Sequence, residues 1–350
     1  MNENVLTTHT PLLGQSRSHS NNLVARLVYG LLAQIKRGKL TLVDADSTQI
    51  FGHDDGGPDC RVTIHDCSLY RKMIRGGAVG AAEAYMDGDW STDNLTDLIC
   101  LFLQNRPVLE EMQGKMSWVS RLGLKLFHYA RRDSLAGSRR NIADHYDLGN
   151  DFFQLFLDPT MMYSSGVFLT PSDSMEQASI NKMSMICEKL ALTSGDHLLE
   201  IGAGWGSLAM HAAEHYGCHV TTTTISSEQY EHAKSQVEAA DLSDRVTVLK
   251  SDYRELAGTY DKLVSIEMIE AVGLENVPQY LQKCASLLSP GGVMLLQSIT
   301  IADQRYQASS RSVDFIQRYI FPGGALPSVT MLIEEATRST DMRSYGLEDI

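Results

Sequence analysis

Paired cysteines are missing from this sequence. Its six cysteines, Cys60, Cys67, Cys100, Cys187, Cys218 and Cys284, form no C-x-x-C and no cluster with histidine, which argues against a disulfide framework and predicts no metal site. The chain opens Met-Asn-Glu-Asn, with no basic stretch ahead of an apolar core, so a reducing, cytoplasmic compartment is expected. Long apolar runs are missing too. The stretch 23–33 is among the most apolar and still contains Arg26, well short of the about 20 apolar residues a membrane span needs. Any membrane contact is therefore expected to be peripheral, at the inner face. Positive charge is scarce as well: 30 Lys and Arg stand against 43 Asp and Glu, a net −13, which speaks against nucleic acid as a partner. No repeat or low-complexity block interrupts the chain.

What is present suits two domains, since 350 residues at 43% hydrophobic composition can bury two cores. The charge is lopsided. Residues 1–140 carry 17 basic against 15 acidic groups and the remainder 13 against 28. Within 114–140, Lys115, Arg121, Lys125, Arg131, Arg132, Arg139 and Arg140 face the single acid Asp133, and apolar residues such as Trp118, Leu122 and Phe127 lie between them. That segment reads either as a solvated basic face or as an amphipathic linker in contact with lipid headgroups.

The expected organisation is a disordered leader over 1–20, a small α+β unit over 21–113, the basic linker 114–140, and an α/β domain over 141–350. In the small unit, helices are expected at 23–36, 68–87 and 96–104 and strands at 39–44, 48–51 and 61–66, with Gly76, Gly77 and Gly80 weakening the second helix. From 197 the rhythm becomes strand, helix, strand. Strands are expected at 197–201, 219–225, 246–249, 262–266 and 293–299, and helices at 207–215, 227–240 and 277–288. That alternation predicts a doubly wound parallel sheet covered on both faces, with ligands at the carboxyl ends of its strands.

Three polar groupings fall where such a sheet binds ligands. The run 198–206 places Glu200 two residues before Gly202, and then Gly204 and Gly206, as a strand turns into a helix. Glycines there let the backbone pass close beneath a ligand and aim helix amides at it, although a tight turn would use them equally well. The next strand ends at Ile225 without the acidic tip of a dinucleotide site, leaving Gln229 to hold ribose hydroxyls. Asp252 and Tyr253, after the third strand, are placed to grip adenine; helix caps and turns are the plainer reading of each. The third grouping, 145–153 followed by Tyr163, Ser164 and Ser165, suits a lid over a cofactor beside a hydrophobic channel, or simply a polar loop.

Taken together, 144–166, 199–206, 224–229, 264–273 (VSIEMIEAVG), 295–299 and 319–328 (YIFPGGALPS) resemble the cyclopropane-fatty-acyl-phospholipid synthase family, which includes the mycolic acid cyclopropane synthases and methyltransferases. The resemblance spans roughly 35–350. It implies a class I S-adenosylmethionine-dependent methyltransferase core, Rossmann-like, behind a sterol-carrier-like lipid-binding domain. Tyr163, Ser164, Gly202, Gly204, Ile225 and Gln229 match the family's cofactor contacts.

The implied reaction moves a one-carbon unit from S-adenosylmethionine to the cis double bond of a phospholipid acyl chain, giving a cyclopropane. The implied base is a bicarbonate held by Cys, Glu, His and Tyr. Glu270 matches the Glu, whereas Ser165 stands for the Cys, Gln297 for the His, and Ala271 replaces the His after the Glu. Serine and glutamine also hydrogen-bond anions, so a bicarbonate site is compatible with the change. The loss of an imidazole equally suits a methyl- or methylene-branched product. The chain stops at Ile350, inside an expected sixth strand, so truncation is expected; a homodimer is compatible with the sequence. Two other classes stay open: a small-molecule methyltransferase, and a lipid carrier, which the intact glycines disfavour.

Overall fold

The computed structural model describes residues 23–45, 47–108 and 149–350. The chain divides into two compact units, 1–122 and 123–350. The expected leader, the basic segment 114–140 and the first part of the 145–153 motif lie outside the described residues.

In the first unit, α1 (Leu23–Leu32), β1 (Lys39–Asp44), β2 (Ser47–Gly52), β3 (Asp59–Ile64), α2 (Ser68–Met86), β4 (Trp90–Thr92) and α3 (Leu95–Gln104) follow in order. The sheet order is β2-β1-β3-β4, with β1 and β3 parallel and both outer pairs antiparallel. Along β1 every second residue is buried, as a strand with one covered face requires. Leu40 and Leu42 there join Val62, Ile64, Leu69, Tyr70 and Leu101 in one core. The expected single helix at 68–87 is two helical pieces meeting at Gly77, whose φ of 56° and ψ of −131° break the α geometry. The bend brings Gly80 so near the Lys72 carbonyl that a Cβ would collide with it, a close approach that a glycine permits.

The second unit holds α4 (Asn150–Gln154), α5 (Met175–Lys189), β5 (His197–Ile201), α6 (Ser207–Tyr216), β6 (His219–Thr224), α7 (Ser227–Ala239), β7 (Val246–Lys250), β8 (Tyr260–Ile266), α8 (Val277–Leu287), β9 (Leu288–Gln297), α9 (Asp303–Ser309) and α10 (Val329–Ser339). Its five strands run in the order β7-β6-β5-β8-β9, all parallel. Alternate side chains of each strand serve opposite cores. Leu198, Val220 and Val264 pack with Ile186, Leu208 and Val237 on one face, while Leu199, Ile201 and Leu263 pack with Tyr280, Leu281 and Leu287 on the other. Two apolar faces are what helices on both sides of a parallel sheet demand.

The order reverses at β5: the chain moves outward through β6 and β7, then returns to the other side for β8. The carboxyl ends on either side of β5 therefore flank a switch-point crevice. Several boundaries differ from expectation: α1 ends at Leu32 and not at 36, and β3 spans Asp59–Ile64 and not 61–66. β9 begins at Leu288 and ends at Gln297, and residues 341–350 form no strand, with Tyr345 99% exposed. A strand needs a neighbour to satisfy its amides, and no described strand pairs with this stretch. No described helix is long and apolar enough to cross a membrane.

Candidate functional site

The glycine loop sits at the switch point with Gly202, Gly204 and Gly206 at φ of 100°, 51° and 93°. The three glycines are not equivalent. A Cβ on Gly206 would stand 3.0 Å from the Ala233 Cβ and one on Gly202 would stand 3.3 Å from Met268, so these two serve packing. A Cβ on Gly204 would meet nothing within 4 Å; it faces open space. The amides of Gly202 and Ala203 both donate to the Thr223 carbonyl, at 3.1 and 2.9 Å, which ties the loop to β6. Trp205, 3% exposed, donates from Nε1 to Asn150 Oδ1 at 2.8 Å. Its ring packs against Phe153 at 5.0 Å and Tyr163 at 6.4 Å between centroids, so α4 and the Tyr163 segment are packed against the loop.

The remaining expected cofactor residues divide by burial. Ile225 is half-buried at the tip of β6. Gln229 is one turn into α7, where its amide oxygen accepts from Thr224 Oγ1 at 2.8 Å and its backbone N–H donates to the Ser226 cap at 3.3 Å. Glu200 lies beneath the loop, 3% exposed, and accepts from Thr222 Oγ1. Burial pushes its carboxyl up to about 8 against the effect of that hydrogen bond. It thus links β5 to β6 from below.

Asp252 and Tyr253 have structural duties. The Asp252 carboxylate takes two hydrogen bonds from the Arg254 guanidinium, each 2.8 Å, and a third from the Arg254 backbone N–H at 3.0 Å, which caps the short turn after β7. The Tyr253 ring sits in the core, edge-on to Tyr280 at 5.0 Å. Both side chains are thus engaged within the protein at the carboxyl end of β7.

The expected catalytic residues do converge. Strands β8 and β9 pair with Ile266 opposite Gln297 and so end together. Gln297 Nε2 donates to Glu267 Oε1 at 2.7 Å and lies 3.3 Å from both Ser164 Oγ and Ser165 Oγ. Glu270, one short turn on, accepts at Oε1 from Ser298 Oγ at 2.9 Å and from the Ile299 N–H at 2.6 Å. Its Oε2 is buried with no hydrogen-bond partner. Burial, together with the nearby Glu267 charge, raises the Glu270 carboxyl above its ordinary value, against its hydrogen bonds. The backbone carbonyl of Glu270 accepts from the Ala325 N–H at 2.8 Å, and Phe321 reaches Tyr163 at 6.4 Å, so the 319–328 motif closes over this corner. Burial and the Glu267 charge also raise the Tyr163 hydroxyl.

The structure adds two residues to the cluster that the sequence reading passed over. Lys182 of α5 is 0% exposed and its Nζ donates to Ser164 Oγ. Burial pushes it down to about 8, partly offset by the Glu267 charge. The signal was available: Ala178, Lys182 and Ile186 share one buried stripe at i, i+4 spacing, where a lysine is out of place. Glu267, inside the 264–273 motif, holds a φ of 48°, unusual for a residue with a Cβ. Among the described residues no group of three or more His, Cys, Asp or Glu is placed to hold a metal ion.

A doubly wound parallel sheet with its glycine loop at the switch point is the class I S-adenosylmethionine-dependent methyltransferase fold, and S-adenosylmethionine is the cofactor of this protein. More closely, residues 134–346 match the mycolic acid cyclopropane synthetase family, and the chain belongs to it. Tuberculostearic acid methyltransferase UfaA1 of Mycobacterium tuberculosis is 35% identical over 340 residues, covering 95% of this chain and 77% of its own. The cyclopropane-fatty-acyl-phospholipid synthase of Escherichia coli K12 is 34% identical over 286 residues, 81% of this chain and 71% of its own. The crystal structure of mycolic acid cyclopropane synthase CmaA1 complexed with SAH and CTAB superposes with a TM-score of 0.54 at 34% identity, over 57% of this chain and 74% of that one.

The buried lysine has a stability consequence. Between about 8 and its ordinary 10.5, the unfolded chain keeps the Lys182 proton and the folded chain has released it, so this group's contribution rises with pH through that window and is a penalty below it. The stability of Lys182→Met relative to wild type should therefore be most favourable below pH 8 and decline toward pH 10.5. Urea midpoints across that range measure it; a pH-independent difference would remove the buried amine from the account.

Proposed function

We propose that this protein transfers a one-carbon unit to the cis double bond of an unsaturated fatty acyl chain in membrane phospholipid. One observation supports the reading above the rest: Glu270 keeps a buried oxygen without a hydrogen-bond partner beside the converged ends of β8 and β9. An uncompensated carboxylate oxygen out of water is costly unless positive charge develops against it. When bound, S-adenosylmethionine supplies an electrophilic methyl group, and its delivery to an alkene leaves positive charge in the acyl chain. Open space over Gly204 fits the cofactor, with Gly202, Gly206, Ile225, Gln229, Tyr163 and Ser164 around it and Glu200 supporting the loop from below. The chain's own part is to orient the two reactants, keep water out with the Phe153, Tyr163 and Trp205 rings, and face the cation with carboxylate.

A cyclopropane product has the support of the Escherichia coli relative. A methyl- or methylene-branched acyl chain is the second reading. It is favoured by the neutral pair Ser165 and Gln297, where the resemblance implies Cys and His, and by the likeness to a tuberculostearic acid methyltransferase. The basic segment 114–140 is proposed to hold an otherwise acidic chain against anionic lipid at the inner membrane face.

Three outcomes test these assignments. Gly204→Leu puts a side chain into the open space at a φ of 51° that strains any residue but glycine; with folding verified by circular dichroism, it should abolish S-adenosylmethionine binding in calorimetry, and retained affinity would count against the loop assignment. Glu270→Gln should keep cofactor binding and lower turnover about 100-fold or more, read by mass analysis of acyl chains from phospholipid vesicles, which also distinguishes ring from branch. Each basic residue near an anionic surface contributes about 1 kcal/mol, so neutralising Arg131, Arg132, Arg139 and Arg140 should weaken vesicle binding on the order of 1000-fold at low salt. Unchanged co-sedimentation would end the membrane assignment.

A further inference from the structure

A bicarbonate at this site would need N–H and O–H donors aimed at a space without negative charge. The donors here are arranged otherwise. Gln297 Nε2 donates to Glu267 Oε1 at 2.7 Å. Because an ionised carboxylate only accepts, the amide nitrogen and not the amide oxygen must face it, which sets the amide's orientation. The two serine hydroxyls within 3.3 Å of that nitrogen, on Ser164 and Ser165, border the same point. A bound anion would be a second negative charge beside Glu267 and a third near Glu270, at separations where like charges repel strongly out of water. The residues present do not fit bicarbonate.

We propose that Glu267 stands in place of the bound anion and is the base of this site, an inference that rests on the acyl-chain reading above. Its carboxylate is placed by three features. The Glu267 N–H donates to the Gln297 carbonyl at 2.9 Å, carrying the β8–β9 ladder one residue past the strand. The φ of 48°, uncommon for a residue with a Cβ, turns the chain there. The Gln297 amide nitrogen donates to Glu267 Oε1 at 2.7 Å and fixes the direction of the carboxylate.

In the step, a Glu267 oxygen forms an O–H bond to a proton of the cationic acyl chain. The C–H electron pair left behind closes either the third side of a cyclopropane or a C=C bond. The carboxylate becomes a carboxylic acid and returns its proton to water. Ser165 and Gln297 then position the base and need not titrate, which accounts for neutral residues at both places.

Bicarbonate titrated into wild type and into Glu267→Gly, without cofactor or lipid, tests the anion's place directly. Glycine also relieves the positive φ, so the variant is expected to fold. The proposal expects no saturable binding to wild type and saturable binding to Glu267→Gly in calorimetry. In buffer depleted of carbon dioxide it expects undiminished wild-type turnover, with Glu267→Gly lower by about 100-fold and partly restored by added bicarbonate at unchanged S-adenosylmethionine affinity. Saturable bicarbonate binding to wild type overturns it, as does wild-type turnover that collapses on depletion or a Glu267→Gly enzyme that keeps the wild-type rate. Should wild type alter no phospholipid acyl chain at all, the acyl-chain reading fails, while the calorimetric comparison still decides whether Glu267 fills the anion's place.

Discussion

The parallel pairing of β8 with β9, Ile266 against Gln297, is the constraint on which the polar cluster depends. Because both strands point the same way and end at the same level, the first side chain beyond one and the last of the other meet above the sheet. A shift of register by one residue would send Gln297 to the opposite face and dissolve its contact with Glu267. The ladder continues through the Glu267 N–H to the Gln297 carbonyl, so the strained turn and the carboxylate it presents come from the same hydrogen-bond pattern that makes the sheet.

Helix α5 supplies the second support. Ser179 donates to Asp158 Oδ2 at 2.8 Å, Lys182 to Ser164, and the Ala178 carbonyl accepts from the Val167 N–H at 3.0 Å. These contacts hold the 158–167 segment against a helix whose other buried residues, Met183 and Ile186, belong to the core under β5. A buried lysine is tolerable there because a hydroxyl accepts from it and a carboxylate lies nearby, and burial lowers its proton affinity instead of forcing a full charge into the interior. The same low-dielectric surroundings act in the opposite sense on Glu270, raising its carboxyl. Two groups of opposite charge type are thus both moved toward neutrality, as desolvation requires.

Much of the architecture was legible from residue order. Strands buried on both faces read as β-branched or apolar runs bounded by turns, and β5, β6, β7 and β8 fall within two residues of their expected limits. β6, HVTTTT, is legible through β-branching alone, since Thr222 and Thr223 are buried although polar. The bend of α2 was legible only in part: Gly76, Gly77 and Gly80 mark a weak helix, but that the break falls at Gly77 goes with the close packing of Gly80 against the Lys72 carbonyl. The surroundings of Asp252 and Tyr253 were legible in part: Arg254, the ion-pair partner of Asp252, is two residues along the chain, whereas Tyr280, which packs on the Tyr253 ring, is brought there by the fold.

By itself the sequence determined the doubly wound order of elements and the glycines at the first strand's end, because periodicity and turn chemistry act over a few residues and are written locally; Ser165, Glu270 and Gln297 were marked by the family resemblance and not by local pattern. Tertiary structure alone decided which of those glycines faces open space, which acids are buried, and that Lys182 and Glu267 belong with the cluster. Those outcomes depend on register between strands far apart in the chain and on how much water reaches each group, quantities that no short stretch of sequence contains.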